Sequence, residues 1–195
     1  FSIVTGGVDV GEKLTTDSRV DQISFTGSDK VGAMIQAQGA ATLKRVALEL
    51  GGKSAMIVCE DADLEQAAFA GLIHLTNQCG QGCVLQTRQL VHNTIKDQYI
   101  EMLKAMASQV KLGNPADPET GMGPLISAAQ RERVLAYIEQ GKRDGNSLVY
   151  GGDIPASMER GFFIEPTIFD CPSNSTAIAQ EEIFGPVVCV IGFDT

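Results

Sequence analysis

The sequence predicts an α/β protein with parallel β-sheet, and three observations support this prediction. Short apolar runs typical of buried strands alternate along the chain with longer runs of helical periodicity. Glycine turns or helix-capping residues separate these runs. The chain has 195 residues, 44% of them hydrophobic, so it can bury one sizeable core or one core and part of a second.

The beginning of the chain combines a strand, a glycine turn and a helix. The pattern at residues 22–26 predicts a short strand, and a turn follows at Gly27 and Ser28. Ser28 is also the predicted N-cap of the next helix. The N–H groups and the positive dipole end of such a helix suit a phosphate group. However, the glycine pattern of dinucleotide-binding turns is absent, so these residues taken alone favour an ordinary capped helix.

The alternation continues to the end of the chain. A double glycine, Gly51-Gly52, marks a bend between two strands and a natural domain boundary. We expect Thr94 to cap a helix that ends at Gly113. Further helices are predicted at residues 11–16, 31–35, 63–75 and 127–138, and strands at residues 1–4, 45–50, 54–59, 88–91, 147–150, 162–169 and 187–193.

The cysteines do not form a disulfide or metal-binding pattern. The chain has five cysteines, an odd number at irregular spacings, which indicates reduced thiols. Only two histidines are present and no second ligand pair follows Cys79 and Cys83, so no metal site is predicted. Cys59 and Cys189 lie in apolar runs, where a cysteine is usually a small buried hydrophobic residue.

The charge balance excludes several classes of partner. With 15 basic and 24 acidic residues the net charge is −9, so the chain would repel a nucleic-acid backbone. No apolar run reaches the length of a membrane span, and the first residues lack the features of a signal peptide. We therefore expect a cytoplasmic protein that binds neither nucleic acid nor membrane.

A thiol and a carboxylate are the candidate catalytic groups. Cys83 follows Gly80-Gln81-Gly82, and Glu49 precedes the double glycine. A thiol attacks carbonyl carbon well, and a carboxylate can act as the base that activates water to release the covalent product. This pairing predicts covalent catalysis, a pattern that several enzyme classes share.

Six motifs in order resemble those of the aldehyde dehydrogenase superfamily, over nearly the whole chain. They are Phe25-Thr26-Gly27-Ser28, Leu48-Glu49-Leu50-Gly51-Gly52-Lys53, Gly80-Gln81-Gly82-Cys83, Gly123-Pro124-Leu125, Gly161 to Thr167 and Glu181 to Pro186. The resemblance implies a three-layer fold with parallel sheets. It also implies an enzyme that oxidises an aldehyde to a carboxylic acid with NAD or NADP through a cysteine-bound thiohemiacetal and thioester.

The resemblance also implies a role for each site residue. Cys83 would be the nucleophile and Glu49 the general base. Gly27 and Ser28 would approach the phosphates of the dinucleotide, and the Leu50 carbonyl would lie near the nicotinamide amide. Near the end of the chain, Glu182 would bind the nicotinamide ribose and Phe184 would pack near the nicotinamide end of the cofactor.

The resemblance further implies that the chain is an internal fragment, truncated at both ends. Residues 1–50 would be the C-terminal remnant of a Rossmann-like cofactor-binding domain, and residues 51–195 most of the catalytic domain. We expect the parent protein to be an active homo-oligomer and the isolated fragment to be inactive. Asn77 stands one residue further from Gly80 than the family pattern has it, which predicts a local insertion in the loop that orients the thiol.

Two alternatives from other classes stay open. A cysteine hydrolase or acyltransferase would need a histidine base beside Cys83, and His74 precedes Cys83 by nine residues. A non-catalytic relative would keep the fold and lose the chemistry, although the presence of Cys83, Glu49 and Glu182 argues against it.

Overall fold

The computed structural model describes residues 1–158 and 160–195 and divides into two compact units, Phe1–Gly51 and Gly52–Thr195. Unit 1 contains α1 (Val8–Thr16), β1 (Gln22–Gly27), α2 (Asp29–Ala40) and β2 (Arg45–Leu50). Unit 2 contains β3 (Ala55–Val58), α3 (Leu64–Thr76), β4 (Arg88–His92), α4 (Lys96–Ala107), α5 (Ala128–Arg143), β5 (Ser147–Tyr150), β6 (Thr167–Cys171), α6 (Ala177–Gln180) and β7 (Val187–Phe193).

Unit 1 is a parallel strand pair covered by a helix. β1 and β2 pair in register from Gln22 opposite Arg45 to Gly27 opposite Leu50. α2 packs on this pair because Gly32 has no side chain: a Cβ there would lie 2.7 Å from the Leu50 side chain. The buried Ile35, one turn further along α2, continues the same face.

Unit 2 is a five-stranded sheet between two layers of helices. The strand order is β3-β4-β7-β6-β5, and only β5 runs antiparallel to its neighbour. The side chains of β6 and β7 alternate between two buried clusters, so Ile168 faces α3 and α4 whereas Phe169 faces α5 and α6. The α/β fold predicted from the sequence is therefore confirmed, with one antiparallel edge strand in addition.

A buried polar group connects the layers around α3. The Tyr99 hydroxyl on α4 donates to Gln89 Oε1 at 2.9 Å, and Gln89 Nε2 on β4 donates to the Gly71 carbonyl at 3.1 Å. All three residues are buried, so these bonds satisfy groups that would otherwise be costly to desolvate. They fix α3, which leads directly to the Cys83 segment.

Several predictions about individual strands, helix ends and caps were wrong. Residues 1–4 form no strand, and β6 begins at Thr167 rather than at residue 162 because Pro166 lacks the N–H that a ladder needs. The Thr94 hydroxyl bonds to His92 Nδ1 and caps no helix. α4 ends at Ala107, six residues before the predicted stop at Gly113.

The prediction for Cys59 was also wrong, whereas that for Cys189 is confirmed. Cys59 lies directly after the last residue of β3 and is exposed. Cys189 lies in the middle of β7, where a parallel strand is buried on both faces. Within the described residues, no helix is both long and apolar enough to cross a membrane.

Candidate active site

Cys83 lies on an irregular segment between α3 and β4. α3 ends at Thr76, and a short 3-10 turn follows over Asn77–Gly80. We call residues 77–83 the thiol loop. Cys83 is exposed, and just beyond it the Leu85 N–H donates to the Gly82 carbonyl at 3.2 Å, which turns the chain towards β4. The thiol is therefore presented on a turn rather than buried in the core.

The thiol loop contains three consecutive residues with left-handed backbone conformation. Their φ angles are 51° at Gln78, 58° at Cys79 and 70° at Gly80. A non-glycine residue in this region costs about 1–2 kcal/mol. Because Gln78 and Cys79 both have this cost, the conformation must be held by the surroundings of the loop.

One set of contacts joins the thiol loop to residues 123–126. The Cys79 Sγ–H donates towards the carbonyl oxygens of Gly123 at 3.2 Å and Pro124 at 3.4 Å, so one proton is shared by two acceptors. Gln81 Oε1 accepts the backbone N–H of Ile126 at 3.1 Å. The Gly-Pro-Leu motif at 123–125 thus provides the carbonyl groups on which the thiol loop rests.

A second contact joins the thiol loop to residues 181–186, the segment that carries Glu182 and Phe184. The backbone of Gly80 lies directly against the Gly185 carbonyl, and a side chain at Gly80 would overlap it. Because φ at Gly80 is also positive, glycine is required here both by backbone conformation and by space.

Side chains on one face of α5 hold residues 181–184. Gln130 Nε2 donates to the carbonyls of Ile183 at 3.2 Å and Phe184 at 2.7 Å, and Arg133 Nη2 donates to the carbonyl of Glu182 at 2.9 Å. The Tyr137 hydroxyl donates to the Glu181 carboxylate at 2.7 Å. The sequence interpretation missed these three α5 residues. Their spacing of three and four positions on one helix face was the available signal.

Glu182 itself is half-buried and only partly engaged. Its Oε1 accepts the backbone N–H of Gly52 at 3.4 Å, and the described residues provide no other hydrogen bond to this carboxylate. The second oxygen is free to accept from a ligand hydroxyl. Phe184 follows with φ 59°, held by the Gln130 bond to its carbonyl.

A buried amine adjoins this segment. The Nζ of Lys53 is buried without a hydrogen-bond partner among the described residues, and burial lowers the pKa of Lys53. The thiols of Cys171 and Cys189 lie nearby. The Cys189 Sγ donates to the Ile178 carbonyl at 3.1 Å, and the neighbouring Cys189, together with burial, raises the pKa of the Cys171 thiol.

His74 acts as a hydrogen-bond acceptor behind the thiol loop. Its Nδ1 accepts the backbone N–H of Gln86 at 3.3 Å, so the neutral ring carries its proton on Nε2. Burial lowers the pKa of His74. Because Nδ1 already has a donor, it is not free to take the proton of Cys83, which weakens the case for a cysteine hydrolase.

The His74 contact predicts a pH effect on stability. Its pKa is lower in the folded state than the unfolded value near 6.5, so the unfolded state binds more protons. Stability should therefore fall as the pH drops from about 7.5 to about 5.5, through the unfolded pKa. Urea unfolding at these two pH values measures the loss. The loss should be smaller in His74→Gln than in the unchanged protein, and an equal loss in the two proteins would contradict the assignment.

The predicted cofactor residues of unit 1 lie together at one end of its strand pair. Gly27 and Leu50 are the last residues of β1 and β2 and face each other across the pair. Ser28 caps α2, its Oγ accepting the Val31 N–H at 3.4 Å, so the helix N-terminus adjoins these strand ends. Glu49 precedes Leu50 on β2 and is exposed.

The predicted site residues fall into two groups. Gly27, Ser28, Glu49 and Leu50 belong to unit 1. Cys83, Glu182 and Phe184 belong to unit 2, where the thiol loop and residues 181–186 are in contact. The convergence of the two groups, and of Glu49 with Cys83 in particular, stays a prediction.

Comparison with known proteins identifies the class. The sequence pattern of the aldehyde dehydrogenase family matches residues 1–195, and the chain belongs to this family. Betaine aldehyde dehydrogenase of Brucella ovis is 45% identical over 195 residues, 99% of this chain and 40% of that protein. The same enzyme of Brucella suis gives equal values. The chain thus spans two fifths of the length of these relatives.

Solved structures of aldehyde dehydrogenases also have the fold of this chain. Betaine aldehyde dehydrogenase of Staphylococcus aureus in complex with NAD+ superimposes with a TM-score of 0.96 at 38% identity, covering 99% of this chain and 39% of that one. The NAD+ complex of an aldehyde dehydrogenase from Bacillus cereus gives 0.91 at 43% identity, covering 95% and 37%. The aldehyde dehydrogenase-like fold is therefore confirmed.

Proposed function

We propose that the protein containing this chain oxidises an aldehyde to a carboxylic acid with NAD+ or NADP+. Cys83 is the nucleophile and Glu49 the general base. The observation that carries this proposal is the contact between the thiol loop and residues 181–186. It connects an exposed thiol to the segment of Glu182 and Phe184, residues to which the family resemblance gives a cofactor role.

The first step is addition of Cys83 to the substrate. The thiol loses its proton, and the sulfur forms a bond to the carbonyl carbon, giving a tetrahedral thiohemiacetal with an oxyanion. A free cysteine thiol is only a few per cent ionised at neutral pH, so the site must favour the thiolate or remove the proton during attack. Presentation of the exposed Cys83 on a turn keeps the sulfur accessible to a small carbonyl compound.

The residues present suit a nicotinamide dinucleotide. Glu182 has a carboxylate oxygen available for ribose hydroxyls, and Gly27 and Ser28 adjoin the N-terminus of α2, where N–H groups can meet phosphate. A bound nicotinamide would supply the acceptor for the hydride that leaves the thiohemiacetal carbon. Asp29 in the first turn of α2 adds a negative charge near this phosphate position, and we expect it to weaken binding slightly.

The second half of the reaction releases the product. Loss of hydride leaves a thioester on Cys83, and water must attack its carbonyl carbon. We assign Glu49 to accept the proton of that water; the carbon–sulfur bond then breaks, the carboxylic acid is released, and the proton held by Glu49 regenerates the Cys83 thiol. A glutamate at this position favours hydrolysis over transfer to a thiol acceptor.

The relatives direct the choice of substrate and cofactor. The similar curated proteins are betaine aldehyde dehydrogenases, and the similar structures from S. aureus and B. cereus contain NAD+. Betaine aldehyde with NAD+ is therefore the first pair to test. A homo-oligomeric state and a cytoplasmic location stay predictions.

An aldehyde panel tests this proposal. The protein containing this chain is incubated with betaine aldehyde and with simple aliphatic and aromatic aldehydes, each with NAD+ and NADP+, and reduced cofactor is followed by absorbance. We expect reduced cofactor and carboxylic acid in equal amounts. Release of acid from a thioester without any nicotinamide requirement, together with no aldehyde oxidation, would instead indicate a cysteine hydrolase.

A further inference from the structure

Cys79 is a second thiol in the thiol loop, with surroundings different from those of Cys83. It is half-buried, whereas Cys83 is exposed. Its side chain packs against the core cluster of α5, α6, β6 and β7, and its Sγ donates to the carbonyls of Gly123 and Pro124. The reaction proposed above gives Cys79 no part.

The backbone at Cys79 explains why its side chain matters. Gln78 and Cys79 adopt left-handed conformations in succession, and such residues persist only where their surroundings hold them. Gln78 is exposed. The Cys79 side chain therefore lies between the core cluster and the carbonyls of Gly123 and Pro124, whereas the Gln78 side chain does not.

The protonation state of Cys79 fits a donor role. Burial raises the pKa of the Cys79 thiol, so the group keeps its proton at neutral pH. Only the protonated thiol can donate to the Gly123 and Pro124 carbonyls. A thiolate at Cys79 would face two carbonyl oxygens at 3.2 and 3.4 Å and would be repelled by both.

We propose that Cys79 is a positioning residue: its thiol holds the thiol loop on the Gly123–Pro124 carbonyls and thereby fixes Cys83 for attack on the carbonyl carbon. Three further contacts act in the same direction, namely Gly80 against Gly185, Gln81 with the Ile126 N–H, and His74 with the Gln86 N–H. Cys79 fixes the N-terminal part of the thiol loop, four residues before the nucleophile. This role rests on the proposed function, because it concerns the orientation of the proposed nucleophile.

Three variants of the protein containing this chain test the role. Cys79→Ala removes the donor, Cys79→Ser keeps a hydroxyl donor in its place, and Cys59→Ala is the control because Cys59 is also a free thiol but lies at the end of β3. We expect Cys79→Ala to lower kcat about five-fold, the factor that corresponds to one net hydrogen bond, with the KM for NAD+ unchanged. Cys79→Ser and Cys59→Ala should stay within about two-fold of the unchanged protein.

A second readout separates this proposal from the proposed function. Alkylation of Cys83 by iodoacetamide, followed by peptide mass spectrometry, needs no aldehyde oxidation. We expect the alkylation rate to change about five-fold in Cys79→Ala, because the released loop no longer holds the exposed thiol in one orientation, and to stay unchanged in Cys79→Ser. If the unchanged protein oxidises no aldehyde, the proposed function fails and the alkylation rates alone decide the role of Cys79. Equal alkylation rates in all variants, or equal loss of kcat in the alanine and serine variants, would overturn the role.

Discussion

Replacing Cys83 by alanine is expected to abolish aldehyde oxidation, with a loss of roughly three orders of magnitude or more in kcat. The reason is that no covalent intermediate can form without the sulfur, so the thiohemiacetal from which the hydride leaves is not made. The thiol is exposed and lies outside the core, so the substitution creates no cavity. The free energy of unfolding should therefore change by less than about 0.5 kcal/mol.

Cys59→Ala is the matched control for this experiment. Cys59 is the other exposed thiol of the chain, and it lies at the end of β3 rather than on the thiol loop. Its replacement should leave both kcat and stability unchanged. Full activity of Cys83→Ala, or equal loss of activity in the two variants, would refute the assignment of Cys83 as nucleophile.

Replacing Gly80 by alanine is expected to destabilise unit 2 by about 2–5 kcal/mol. Two costs add at this position. The first is the positive φ of 70°, and the second is the overlap between the new methyl group and the Gly185 carbonyl. Relief of the overlap would push the thiol loop away from residues 181–186, so activity should fall together with stability.

Gly145→Ala separates these two costs. Gly145 has a similar φ of 81°, but a Cβ there would meet nothing within 4 Å. Its replacement should cost about 1–2 kcal/mol, the backbone term alone. Urea unfolding of both variants gives the difference, and equal losses would show that the contact of Gly80 with Gly185 does not exist in solution.

The regular part of the fold follows from patterns local to the chain. Strand β7 is an uninterrupted apolar run because it lies in the middle of a parallel sheet covered on both faces. Ser28, Asp63 and Ser127 each accept the N–H three residues later, as their positions before apolar helical runs predict. These signals need no information from distant parts of the sequence.

The irregular part of the site depends on distant contacts and could not be predicted in this way. Two successive non-glycine residues in the left-handed region are unfavourable by themselves, and contacts with distant residues such as the Gly123–Pro124 carbonyls and the Gly185 backbone make that conformation acceptable. The exposure of Cys59 shows the reverse case. Its apolar run predicts burial, but the run leaves the sheet one residue before it.

Residues 181–186 carry a motif that is visible in the sequence, but contacts from distant residues determine their conformation. The pair of acids before a Gly-Pro turn was recognisable only by resemblance, because such a pair is usually a solvated loop. In the structure Gln130, Arg133 and Tyr137 of α5 hold this segment through three carbonyls and one carboxylate. The conformation of residues 181–184 is thus held by side chains located about 50 residues earlier in the chain.

Trapping of the acyl group on Cys83 is the most direct test of this account. The Glu49→Gln form of the protein containing this chain is mixed with an aldehyde and NAD+, quenched in acid after one turnover, digested and mapped by mass spectrometry. Because the water-activating base is absent, we predict one equivalent of reduced cofactor and an acyl group on the peptide of Cys83. Reduced cofactor without any acylated Cys83, or an acyl group on a different residue, would contradict the proposed mechanism.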